Sequence, residues 1–214
     1  MELWSEIITE KSYDLLLELK KNVDFVLIGG WANWLYSQTA KSKDIDIYIN
    51  FNDLFKLQNF FINKGISVNY NRKLNKYEIK TEEIDIDIYT PDHCNLIISC
   101  KEVFNKSLFK DVSGFKVVIP EVLLILKLDA EKQRHGTIKG FKDRIDILSL
   151  LYKTKFDISL LAGLAKEHKV DLKGIKEIIT KSSKEYSYFF QKAENLRELK
   201  KLKLWLIKEM KIFF

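Results

Sequence analysis

The stretch DFVLIGGWANWLYSQTAKSKDIDIYIN, residues 24–50, decides how this chain is read. FVLI is a short apolar run of the kind that forms a buried strand, and it ends in Gly29 and Gly30. WANWLYSQT follows with helical spacing that puts Trp31, Trp34 and Leu35 on one side. The last part, KDIDIYIN, alternates isoleucine with aspartate. β-Branched isoleucine favours a strand, whereas aspartate is a poor strand former. Alternate residues of a strand share a face, so Asp44 and Asp46 project together while Ile45 and Ile47 point into a core. The oddity recurs in EIDIDIYTP, residues 83–91, where Asp85 and Asp87 share a face.

Exposed aspartate on a half-buried sheet is ordinary, and a single Asp-x-Asp means little by itself. Two such pairs are different, because like charges on one strand face repel unless something cationic sits between them. Clustered hard oxygen ligands suit Mg²⁺ or Mn²⁺. Glycines let the backbone approach a ligand closely, and the N-terminus of the helix after them offers free N–H groups to phosphate. A strand, two glycines, a helix and an Asp-x-Asp strand can therefore gather phosphates and metal ions together. A third carboxylate from another strand would complete a two-metal site, which activates an attacking hydroxyl and steadies a leaving pyrophosphate.

These segments resemble the nucleotidyltransferase superfamily, whose fold is called polymerase-β-like. Its pattern is an apolar strand, Gly-Gly or Gly-Ser, a helix, a Ser/Thr-x-Asp-x-Asp strand and a later third aspartate. FVLIGG, WANWLYSQTAK, SKDIDIYI and IDIDIYT stand in those places. The likeness extends into IPEVLLILKLDAEKQR and KGFKDRIDILSLL, which are similar to helices of the branch containing AbiEii-type and MenT-type toxins and minimal nucleotidyltransferases. It spans roughly residues 23–152. The resemblance implies that Asp44 and Asp46 hold metal ions and that Asp87 or Asp85 is the third ligand. Asp87 is preferred, since the family often follows this carboxylate with two apolar residues. It further implies that Gly29, Gly30, Ser42 and Lys43 contact the triphosphate, and that Lys127 reaches phosphate or nucleotide. Asp143 and Asp146, three apart on one helix, are either site residues or partners of basic groups. Many relatives carry Arg where this chain has Ala40, with Lys41 and Lys43 as its nearest basic neighbours.

Elsewhere the sequence predicts a helix over residues 2–21 and another capped by Asn52 or Asp53 and running to about Asn63. Strands are expected at SVNYN, KYEIKT, EIDIDIY and FKVVI. Pro120 opens the helix PEVLLILKLDAEKQRH in the favoured first-turn position. Beyond it only helices are read, the last a long basic one over about 183–212. Strands gathered early and helices late predict an α+β fold, a mixed β-sheet flanked by helices and then an all-helical half. The expected domains are a catalytic core over 1–119 and a helical domain over 120–214.

At 214 residues, 46% hydrophobic and 31% charged, the chain reads as globular rather than disordered. VLLILKL is too short to span a bilayer and Lys127 interrupts it. MELWSEIITEK lacks a basic n-region and an apolar h-region, so no signal peptide is read. Cys94 and Cys100 give neither a CxxC nor a disulfide framework. A cytoplasmic protein with no membrane partner is expected. Residues 151–214 carry 15 Lys+Arg against 8 Asp+Glu, or +7, which leaves −1 for residues 1–150 of the total +6. A basic half beside a near-neutral one suits an anionic partner, and a lysine-rich solvated surface would read the same.

The resemblance therefore implies transfer of a nucleoside monophosphate from an NTP to a hydroxyl, with two Mg²⁺ or Mn²⁺ ions. RNA, in particular a tRNA 3′ end, is the expected acceptor, in the manner of a toxin with a cognate antitoxin protein. Alternatives are an enzyme that nucleotidylates a protein or small molecule, and an inactive module of the same fold that binds RNA or a partner protein.

Overall fold

The computed structural model describes residues 5–211, so the first residues of the expected N-terminal helix (2–4) and residue 212 of the last one lie outside it. In chain order come α1 (Glu6–Asn22), β1 (Val26–Ile28), α2 (Gly29–Ser37), β2 (Ile45–Tyr48) and α3 (Phe51–Ile62). They are followed by β3 (Asn69–Asn71), β4 (Lys76–Lys80), β5 (Asp85–Tyr89), α4 (Cys100–Asn105), β6 (Phe109–Val112) and β7 (Phe115–Val118). The helical half has α5 (Pro120–Gln133), α6 (Ile138–Lys153), α7 (Ile158–Glu167) and α8 (Gly174–Lys181), a 3₁₀ turn at Glu185–Tyr188, and α9 (Leu196–Glu209). The fold is α+β, as the pattern predicts. The described residues fall into two compact units: residues 5–35 with Lys41–Ile119, and Tyr36–Ala40 with residues 120–211.

The first unit is built on a seven-stranded mixed sheet in the order β3-β4-β5-β2-β1-β7-β6. The two Asp-Ile-Asp-Ile-Tyr strands are neighbours. β2 and β5 run parallel, with Ile45 beside Ile86, Asp46 beside Asp87 and Ile47 beside Ile88. β1 pairs antiparallel to β2 and places Ile28 beside Asp46, while β4 pairs antiparallel to β5 and places Glu78 beside Asp87. The isoleucines at 45, 47, 86 and 88 are completely buried, which at roughly 1.5–3 kcal/mol each is the apolar term that fixes this register. Tyr48 is also buried, and its hydroxyl donates to the Ile98 carbonyl at 2.6 Å. Trp31 belongs to the core, with its indole N–H donating to Ser12 Oγ at 3.0 Å and Trp34 packed edge-on against it.

Two local expectations are corrected, and two elements have no counterpart in the sequence reading. The cap of α3 is Asn50, whose side chain accepts from the Asp53 backbone N–H, while Asp53 sits in the first turn and pairs with Lys56 at 2.7 Å. Helix α4 and strand β6 had no visible pattern, since α4 has six residues and FKDV shows no clean alternation. The long basic helix over 183–212 is broken into the 3₁₀ turn, an irregular segment and α9, which begins only where Asn195 accepts from the Arg197 and Glu198 N–H groups.

In the second unit α5 packs on α6 and is buried nearly all round, with Val122, Leu123, Leu124 and Ile125 fully enclosed. A polar cluster centred on Lys127 lies inside that packing. The Lys127 ammonium is 2.6 Å from Asp146 and 3.2 Å from Asp143; Lys142 joins Asp146 at 3.0 Å, and Arg134 closes on Asp143. Burial pulls the Lys127 ammonium down, but the two aspartates outweigh it and raise it above the ordinary lysine range. Burial pushes Asp143 up, and Lys127 and Arg134 outweigh that to leave it below the usual carboxylate value.

Removing one member of such a cluster strands its partners. Lys127→Met is expected to cost about 3–5 kcal/mol of stability in urea unfolding, the penalty for orphaning buried charge. With wild-type protein, the Asp143 contribution is complete above its unfolded value of ~3.9 and fades as pH falls through the depressed folded value. The Lys127 contribution is complete below its unfolded value of ~10.4 and is lost only as pH rises through its raised folded value. Midpoints of thermal unfolding across pH measure both limbs.

Candidate active site

The carboxylates gather on the sheet face opposite the buried isoleucines. Parallel register sets Asp46 and Asp87 side by side, and Asp44 and Asp85 lie one pleat away on the same face. All four are half-buried. Asp44 has one carboxylate oxygen, Oδ1, buried without a hydrogen-bond donor, and the nearest cation to it is Lys43 at 3.7 Å. Ser42, immediately before Lys43, is buried. Of the two candidates for third carboxylate, Asp87 is the one aligned with Asp46, whereas Asp85 is aligned with Lys80 on β4.

Gly29 explains how a helix can begin against this face. Its φ is +67°, in the left-handed region that side-chain-bearing residues rarely adopt. A Cβ built there would lie 2.1 Å from Asp46 Oδ2 and 2.7 Å from Asp46 Cγ, so only glycine leaves room for that carboxylate. The first turn of α2, from Gly29 and Gly30, is thereby brought against Asp46. An N-terminal turn carries unsatisfied N–H groups and the positive end of the helix dipole.

Two site residues were missing from the sequence reading. Lys76 on β4 is only 8% exposed, and its ammonium reaches Asp87 Oδ2 at 2.6 Å and Glu78 Oε1 at 3.1 Å. Their signal was the alternation in KYEIKT, which puts Lys76 and Glu78 on one face; the pairing of β4 with β5 was not readable from it. Burial pushes Asp87 up and Lys76 pulls it back, but Glu78 and Asp44 push it up again, and it ends above the ordinary carboxylate range. Glu78, also raised by burial, is carried below that range by Lys76 and Asn71. One lysine thus serves two acids unequally, because Asp87 also faces the Glu78 and Asp44 carboxylates.

Lys127 lies in the helical unit, 5% exposed, with its ammonium held by Asp143 and Asp146. Those two aspartates act there as partners of basic groups, one of the two roles open to them from sequence.

The donor set on the sheet suits a hard divalent cation. Aligned carboxylates from two strands and a buried Asp44 oxygen without a hydrogen-bond donor are the features such an ion uses. A divalent cation there would oppose the upward push that burial, Glu78 and Asp44 give Asp87.

No protein-family model matches the sequence. No curated protein matches it significantly either. Solved structures do match. JHP933 from Helicobacter pylori is 16% identical, with a TM-score of 0.54 over 97% of this chain and 94% of that one. An H. pylori protein described as a candidate nucleotidyltransferase is 16% identical, with a TM-score of 0.52 over 99% of both chains. ANT(2″)-Ia, solved in complex with adenylyl-2″-tobramycin, is 13% identical, with a TM-score of 0.50 over 77% of this chain and 98% of that one. At such identities the likeness is one of fold: this chain has a nucleotidyltransferase-like fold with a helical C-terminal part.

Proposed function

We propose that the protein transfers a nucleoside monophosphate from an NTP to a hydroxyl acceptor and releases pyrophosphate. The observation that carries this reading is the alignment of Asp46 with Asp87, beside an Asp44 oxygen that has no donor and a glycine shaped around Asp46. Asp44, Asp46 and Asp87 would hold Mg²⁺ or Mn²⁺, with Asp85 at the margin. When bound, two such ions would neutralise the triphosphate and acidify the attacking hydroxyl. Gly29 and Gly30 would present the first turn of α2 to the phosphates, with Ser42 and Lys43 flanking them. The acceptor oxygen attacks the α-phosphorus, the bond to the β-phosphate oxygen breaks, and pyrophosphate leaves. The hydroxyl proton passes to Asp87 Oδ1, since Oδ2 is engaged by Lys76. Lys76 thus fixes the orientation of the acid that the reaction uses.

RNA is the acceptor class favoured here, a tRNA 3′ end within it, because the +7 charge of residues 151–214 suits a polyanion. In this reading the sheet carries the catalytic core and residues 120–214 form an acceptor-binding domain. The biological role we propose with it is that of a toxin restrained by a cognate antitoxin. Among the described residues no helix is long and apolar enough to cross a membrane.

Incubation with labelled NTPs, Mg²⁺ and total tRNA tests the reaction, and label is expected in the tRNA fraction. Asp46→Asn should lower transfer by at least about a hundredfold, more than loss of an outer-shell partner would. Mn²⁺ at about a hundred times its Kd should stabilise the wild-type fold by roughly 2.7 kcal/mol, and Asp46→Asn should lose that gain. Equal metal stabilisation of both proteins would refute the ligand assignment whatever the acceptor. Gly29→Ala should cost about 1–2 kcal/mol of stability for its left-handed backbone and cut transfer far more than that loss explains, because Asp46 must move. Paired unfolding and transfer measurements separate the two effects.

A further inference from the structure

The helical unit carries a groove that the transfer chemistry does not use. Its wall is Tyr152 at the end of α6, Phe190 after the 3₁₀ turn, and Glu198, Lys201, Leu202 and Trp205 on α9. The cavity volume is about 270 Å³, near the lower end of small-ligand pockets, ~300 Å³. Tyr152 is its hub: the Trp205 ring stands edge-on at 6.0 Å, the Phe190 ring edge-on at 6.2 Å, and the Phe189 ring tilted at 6.0 Å. Trp205 stays 43% exposed, so a flat aromatic surface faces solvent beside the opening.

Charge identifies the occupant. The Lys153 ammonium is 5.2 Å from the centre of the Tyr152 ring, and Lys201 lines the groove while paired with Glu198 at 2.7 Å. Helix α9 carries five basic residues, Arg197, Lys200, Lys201, Lys203 and Lys208, against Glu198 and Glu209. A second copy docking here would bring this same net +3 helix against itself. A polyanion with flat apolar bases meets both the aromatic wall and the ammonium rim.

We propose that this groove binds an unpaired base of single-stranded RNA, stacked on the Trp205 ring with its edge toward Tyr152. The adjoining phosphates lie against Lys153 and Lys201, and the Glu198 carboxylate accepts from an exocyclic amine of the base. The proposal rests on the reading of RNA as acceptor and places recognition of the strand on the helical unit.

The test is binding of a fluorescein-labelled oligoadenylate of about ten nucleotides, measured by anisotropy in the Asp46→Asn protein without NTP, so that transfer plays no part. Trp205→Ala should weaken binding about tenfold or more, and Trp205→Phe, which keeps a ring, should recover most of it. Lys153→Gln and Lys201→Gln should each lower the slope of log affinity against log salt by roughly one contact. Unchanged affinity in a Trp205→Ala protein that melts like its parent would overturn the proposal. So would a Trp205→Ala change in sedimentation mass with RNA affinity intact, which marks the groove as a contact between copies. Trp205-dependent RNA binding by a chain that transfers nucleotide to no acceptor would uphold the groove and sink the transferase reading. Full transfer and full RNA affinity in Trp205→Ala would do the reverse.

Discussion

The whole sheet is arranged around an electrostatic cost: two carboxylates, Asp46 and Asp87, stand in register on adjacent parallel strands. Charges ~5 Å apart, the strand spacing, repel by roughly 3 kcal/mol at an effective dielectric of about 20. Four fully buried isoleucines on the reverse face gain more than this, about 6–12 kcal/mol at 1.5–3 each. The pairing is therefore held from behind, and the charged face is free to be specified by chemistry rather than by stability. Lys76 offsets part of the repulsion, and it comes from β4 on the far side of β5, so β4 completes the site as well as extending the sheet.

What could be read in the sequence follows from what is local. Alternation of isoleucine and aspartate announces a two-faced strand, and Gly29–Gly30 before an amphipathic run announces a turn into a helix. Register is not local. Asp85 and Asp87 have the same face and nearly the same neighbours in sequence, and only the pairing of β2 with β5 aligns one of them with Asp46. Lys76 and Glu78 were hidden for the same reason, since their importance depends on which strand β4 meets. Lys127 is a further case: its ion pairs with two carboxylates on the next helix depend on packing that its own helix does not announce.

The two units answer different physical problems. In the sheet unit like charges are gathered and only partly balanced, as a site for cations and phosphates would require. In the helical unit each of the two buried aspartates has cationic partners, Lys127 and Arg134 for Asp143 and Lys127 and Lys142 for Asp146, and further basic charge lies on the surface of α9. The long basic helix expected from periodicity gives way to a 3₁₀ turn and an irregular segment, in which Phe189 and Phe190 pack on Tyr152. The break that shortens the helix is also what brings Phe190 to the groove wall.

The contact between Gly29 and Asp46 also bears on how the chain can diverge. Two constraints act at position 29, the space claimed by the aspartate and the left-handed backbone. Shortening residue 46 alone relaxes neither, because the Asp46 Cβ already lies 2.9 Å from where a Cβ at position 29 would stand. Only glycine at 46 would clear that space, and asparagine, which tolerates the left-handed backbone, would then join glycine as an admissible residue at 29. Asparagine at 29 would therefore mark a chain whose residue 46 had given up its carboxylate and its Cβ together.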